Sequence, residues 1–148
     1  MSVLPDSILQ ERRSDIMIFQ SKECIHGLPV WSVDTDTQTV THIHPKTFET
    51  EEHKFFHDYI RYHLHYLEDE APHKLQRLVD NGEIYQYLSD LDTKVFDAVD
   101  RQEELLKAND KELQSANERG DIVTAAAIAN AYHAQARDMV FAVMIYTK

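Results

Sequence analysis

Cysteine, glycine, proline and tryptophan are all scarce in this chain: one, three, four and one among 148 residues. Each shortage excludes something. A single thiol, Cys24, allows no internal disulfide and no cysteine-based metal cage, and it suits a reducing compartment. So few glycines and prolines leave no room for a loop-rich chain and favour long regular elements, chiefly helix. No apolar run approaches the roughly 20 residues that a bilayer requires; the longest, from Met139 to Tyr146, is far shorter. Met1-Ser2-Val3-Leu4-Pro5 is not a charged-then-apolar leader. A cytoplasmic location without a membrane partner is the expectation. Positive charge is also in deficit, 15 basic residues against 26 acidic, for a formal charge of −11 at pH 7. Between Glu68 and Asp121 acids outnumber bases about two to one. Phosphate neutralisation dominates nucleic-acid affinity, so direct binding of DNA or RNA is not expected.

Catalytic signatures are missing too. Asn81-Gly82-Glu83 reads as a turn, not as a phosphate-binding loop. Cys24 stands near His26 without the surroundings of an activated nucleophile. Glu103-Glu104 and the Asp90/Asp92 pair read as a solvated helix face, not as paired catalytic carboxylates. No catalytic residue is assigned, and neither an enzyme nor a cofactor is expected.

What the chain does have is helical periodicity. Ile84, Leu88, Leu91, Val95, Ala98, Val99, Leu105, Leu106 and Leu113 recur at steps of three and four, with acidic, basic and amide side chains opposite. No proline or glycine interrupts residues 83–119, which predicts one long helix that ends at Gly120. The stripe thins at Gln102 and Asn109, as expected where a helix projects beyond its core. Asp121 suits the N-cap of a second helix over 122–146, folded back on the first. That helix is alanine-rich at its start and apolar on every side at its end. A one-sided amphipathic helix does not look like this. Met139, Val140, Val143 and Tyr146 therefore read as packing or oligomer-interface residues, with a homodimer one outcome.

Upstream, residues 6–13 predict a short helix. Ile16 to Phe19 reads as a strand, and Val30–Val33 with Thr39–Ile43 reads as a hairpin across Asp34–Gln38. Trp31 is its natural anchor. After Pro45 the aromatic series Phe48, Phe55, Phe56, Tyr59 predicts a return to helix that lasts until Pro72. Pro72 opens a short helix ending near Asp80, with Asn81-Gly82 as its cap. The expected fold is mainly α (α+β). It is a single domain over 1–148: an antiparallel helical hairpin or bundle of about four helices, residues 46–148, with a small β-hairpin or sheet within residues 1–45.

Several small ordered matches carry a family resemblance. The segment from Asn130 through Tyr132-His133, Ala136-Arg137-Asp138 and Val140 to Ile145-Tyr146 resembles the closing helix of the TnpV proteins, which are encoded on transposons. Tyr66-Leu67-Glu68, Gly82-Glu83, Tyr87-Leu88 and Leu91-Asp92 follow the same family's middle region. The likeness covers about residues 60–146. Where that family often carries Trp-Val, this chain has Ile122-Val123. The resemblance implies a mobile-element accessory protein and brings no catalytic residues with it.

Three functions follow as expectations. The first is a non-enzymatic accessory or regulatory protein of a mobile genetic element, working through a protein partner. The acidic helix face Asp90, Asp97, Asp100, Glu103 and Glu104 is its candidate contact. The second is an acidic inhibitor, of the DNA-mimic or anti-CRISPR kind, that occupies a basic nucleic-acid-binding enzyme. The third is a histidine metal-binding protein. Its candidate ligands are His53 and His57, four apart on an expected helix with Glu49 one turn back; His42 and His44 lie two apart on an expected strand.

Overall fold

The computed structural model describes residues 18–148, so the expected helix at 6–13 lies outside the described residues. The expected strand at 16–19 appears within them as β1 (Ile18–Gln20). A two-stranded ribbon follows, β2 (Cys24–Ile25) and β3 (Leu28–Pro29). His26 and Gly27 turn between them with positive φ, as the tightest hairpins require. Next come β4 (Trp31–Asp34), β5 (Thr39–Ile43) and β6 (Thr50–Lys54). Strands β1, β4, β5 and β6 form one antiparallel sheet in the order β1-β4-β5-β6.

The β4–β5 hairpin is where the sequence places it. Its turn lacks an Asn-Gly pair; the Asp34 carboxylate instead accepts the backbone N–H groups of Asp36 and Thr37 at 2.9 and 3.1 Å. Gln38 takes the left-handed position, φ 51°. Its buried amide donates to the Phe55 carbonyl and accepts the Arg61 N–H, tying the turn to the chain beyond β6.

β6 corrects the helix expected after Pro45. Thr50-Glu51-Glu52-His53-Lys54 pairs with β5 from Thr39↔Lys54 to Ile43↔Thr50. The chain reverses through a turn in which the His44 N–H donates to the Glu49 carbonyl and Phe48 adopts φ 63°. The aromatic series misleads because Phe56, at 92 % exposed, belongs to no buried stripe. The sheet therefore extends past Pro45.

Five helices follow among the described residues: α1 (Tyr59–Glu70), α2 (Pro72–Asp80), α3 (Ile84–Lys107), α4 (Lys111–Glu118) and α5 (Ile122–Met144). The architecture is thus mixed α+β, five helices with a four-stranded sheet, in place of a four-helix bundle with a hairpin. α2 begins with Pro72 at its first turn, as predicted. Gly82 follows it at φ 71°, and a Cβ there would stand 2.8 Å from Nε1 of Trp31. Glycine is needed on both counts, conformation and space.

The single helix expected over 83–119 is broken at residues 108–110. α3 ends at Lys107, and the Asp110 carboxylate caps α4 by accepting the Leu113 N–H at 2.8 Å. The thinning of the apolar stripe at Asn109 marks this break, not a projecting rod. Asp121 caps α5 by accepting the Thr124 N–H, as predicted.

The described chain divides into two compact units at Asp90, inside α3. In the first, the sheet face bearing Val33 and Val40 is buried together with Ile60, Leu64, Leu67, Leu75, Val79, Ile84 and Leu88. In the second, Leu91–Thr147, the buried side chains are Val95, Val99, Leu113, Ala116, Ala136, Val140, Phe141 and Ile145. No helix among the described residues is long and apolar enough to cross a membrane.

Candidate functional site

Antiparallel pairing sets one transverse row of side chains across the sheet: Trp31 on β4, His42 on β5 and Glu51 on β6 are directly opposite one another. Side chains two apart on a strand share a face, so His44 and His53 flank the row on that same face. The Trp31 and His42 rings stack at 3.9 Å, 17° from parallel. The His42 and His44 rings meet edge to face at 4.8 Å. Glu51 lies between two imidazoles: Nε2 of His44 is 2.8 Å from its Oε1, and Nε2 of His53 is 3.2 Å from its Oε2. His53 in turn lies 4.4 Å from the ring of Tyr85, at the start of α3. Aromatic rings therefore bound the cluster at Trp31 and at Tyr85.

The electrostatics follow from this crowding. Hydrogen bonds from His44 and then His53 hold the Glu51 carboxyl below the usual carboxylate range. Burial, with His44 as a neighbouring charge, lowers the basicity of His42. His42, His44 and Glu51 together offer three donor atoms that all lie within 4.8 Å of one another.

The metal pair read from the sequence is thereby rearranged. His53 is on a strand, not a helix, so it shares no helix face with His57. His57 lies ahead of α1 and stacks on Tyr59 at 5.0 Å. Glu49 sits in the turn before β6, and the carboxylate that meets the histidines is Glu51. Sequence reasoning missed Glu51. The alternation Glu51-x-His53 was its available signal, hidden once the stretch was assigned to a helix.

The opposite sheet face carries Ser32, Asp34, Thr39, Thr41, Glu52 and Lys54 around a hollow of about 420 Å³. An antiparallel face open to water is ordinarily polar in this way.

Along α3 the acidic residues are dispersed. Asp90, Asp97 and Glu104 recur every seven residues on α3, about 10.5 Å apart. Lys94 and Arg101 fall between them. Duplex DNA presents one charge per about 1.7 Å of axis, so this row is far sparser than a phosphate track. Asp100 is exposed beside it. Glu103 is turned to internal use: it accepts from His133 at 2.9 Å and pairs with Lys107 at 2.9 Å. Those hydrogen bonds, His133's first, hold its carboxyl low.

The expected interface residues also divide. Val140 is buried, whereas Met139, Val143 and Tyr146 are exposed, Tyr146 with its ring edge-on to Phe141. The exposure runs the length of α5, with Ile122, Val123 and Val143 at 80, 81 and 72 %. Asp138 is the one formally charged side chain among the exposed positions of that helix. Comparison with family models, with curated proteins and with solved structures finds no match for this chain.

Proposed function

We propose that the protein is a non-enzymatic accessory of a mobile genetic element that acts by binding another protein through the uncovered side of α5. One observation carries this reading: α5 is rich in alanine and larger apolar residues, and among the described residues much of that apolar surface is exposed, with Asn130, His133, Gln135 and Asp138 set among it. The uncovered side includes Ile122, Val123, Ala126, Ala127, Ala131, Ala134, Met139, Ala142 and Val143 and extends about 34 Å. Large exposed apolar patches are uncommon on monomeric soluble proteins, and they mark contact sites. The resemblance to TnpV proteins includes this helix and supplies the mobile-element setting. A second copy of the chain is the first partner to test.

The double substitution Val123→Glu/Val143→Glu tests the proposal. Both side chains are exposed, so helicity by circular dichroism is expected to stay unchanged. Self-association in sedimentation, and recovery of any partner from the host, is expected to be lost. Partner binding equal to wild type would remove α5 from the mechanism. Reversing Asp97, Asp100 and Glu104 to lysine tests the α3 face separately. Recovery of a basic nucleic-acid enzyme that depends on those three carboxylates would turn the reading to the inhibitor.

A further inference from the structure

We infer that His42, His44 and Glu51 form a binding site for one divalent transition-metal ion of the zinc, nickel or copper class, with His53 positioning the carboxylate. The site is independent of the α5 contact and lies in the other compact unit.

The donor set decides the class of ion. Two imidazole nitrogens and one carboxylate oxygen suit zinc and its later first-row neighbours, whereas magnesium and calcium take oxygen donors. Donor atoms around tetrahedral zinc stand about 2.0–2.2 Å from the ion, hence about 3.3–3.5 Å from one another. Here they lie within 4.8 Å, and small side-chain rotations close that gap. His44 and Glu51 are nearer than that spacing, at 2.8 Å, because a proton lies between them. The ion takes the place of this hydrogen bond and binds the ring nitrogen that carries no proton.

The fold prepares each donor. Cross-strand pairing fixes His42 against Glu51, and the turn hydrogen bond from His44 N–H to the Glu49 carbonyl fixes His44 at the hairpin end. Trp31 stacked on His42 limits its ring rotation. His53 holds the other carboxylate oxygen at 3.2 Å, the kind of outer contact that orients a ligand. About half of the Glu51 side chain and over a third of that of His44 are open to solvent. Three protein donors at an open surface leave a fourth position for water or a partner's donor.

Trp31 is the chain's one tryptophan and touches a proposed ligand, so binding carries its own optical signal. Untagged full-length protein, stripped with chelator, is titrated with copper(II), nickel(II) and zinc(II) while Trp31 fluorescence and calorimetric stoichiometry are read. The expected result is saturable binding of one ion per chain, with strong quenching by copper, and no response to magnesium or calcium. Glu51→Gln is nearly isosteric on an exposed edge strand and is expected to weaken affinity at least about tenfold without change in circular dichroism. His44→Ala is expected to do the same or more, and His73→Ala, outside the cluster, nothing. Absence of saturable one-to-one binding overturns the inference, as does wild-type affinity in folded Glu51→Gln and His44→Ala proteins.

Discussion

Glu68, on α1, sits in an environment that opposes its ordinary chemistry. Its Oε1 accepts from the Thr35 hydroxyl at 3.3 Å, while Oε2 is buried with no hydrogen-bond partner among the described residues. Burial raises its carboxyl above the usual range, and the acids Asp69 and Asp36 add to the shift. A raised carboxyl binds its proton more tightly folded than unfolded. Its ionisation therefore burdens the fold at pH 7, and the burden lifts as pH falls through the folded value. Glu68→Gln is expected to raise the melting temperature at pH 7 by about 1–2 °C and to leave it unchanged near pH 4. Thermal denaturation at the two pH values checks this; an equal shift at both would point to packing instead of charge. Nothing in the sequence marks Glu68 out, because its environment is made by a residue 33 positions away in another element.

At the scale of elements, the break between α3 and α4 is held by one acid. Asp110 accepts the Leu113 N–H, and it also takes a hydrogen bond from the Tyr132 hydroxyl of α5, so one side chain both starts α4 and attaches it to its neighbour. These bonds, Tyr132's first, hold the Asp110 carboxyl low. A depressed carboxyl stabilises above its unfolded value and loses that contribution as pH falls through the folded one. Asp110→Ala is expected to lower the melting temperature at pH 7 by roughly 2–4 °C, with Asp110→Asn, itself a good cap, costing less. If both variants melt like wild type, the cap is not what begins α4.

Elements with a local cause were legible: α2 from Pro72 and Gly82, α5 from Asp121, the β4–β5 hairpin from its β-branched runs. β6 was not. An edge strand with no apolar side carries no period-two signal, and the phenylalanines beyond it supplied a false helical one. The break at 108–110 contains neither glycine nor proline, so only the loss of apolar side chains near Asn109 announced it. The histidine site was half legible. His42 and His44 show their spacing within one strand, but Glu51 joins them only through the register of a hairpin.

For the molecule as a whole, net charge sets how copies meet. At pH 7.5 the formal charge of −11, with histidines neutral, opposes association through α5. Histidine as a residue type gains a proton in mild acid, and the chain has nine, so lower pH reduces the repulsion. Self-association measured by sedimentation is expected to be stronger at pH 5.5 than at 7.5, and at pH 7.5 to strengthen with added salt. Association insensitive to both would mean that charge repulsion does not limit contact between copies.

The composition of β6 bears on a different hazard. A terminal strand with unpaired backbone groups invites a neighbour's strand to add on, and from there fibrils grow. Here the rim reads Thr50-Glu51-Glu52-His53-Lys54. Glutamate, glutamate, histidine and lysine fill four of its five positions, and no apolar side chain stands among them. A rim so polar turns other strands away, which leaves helix-to-helix docking as the safer way for this chain to find company.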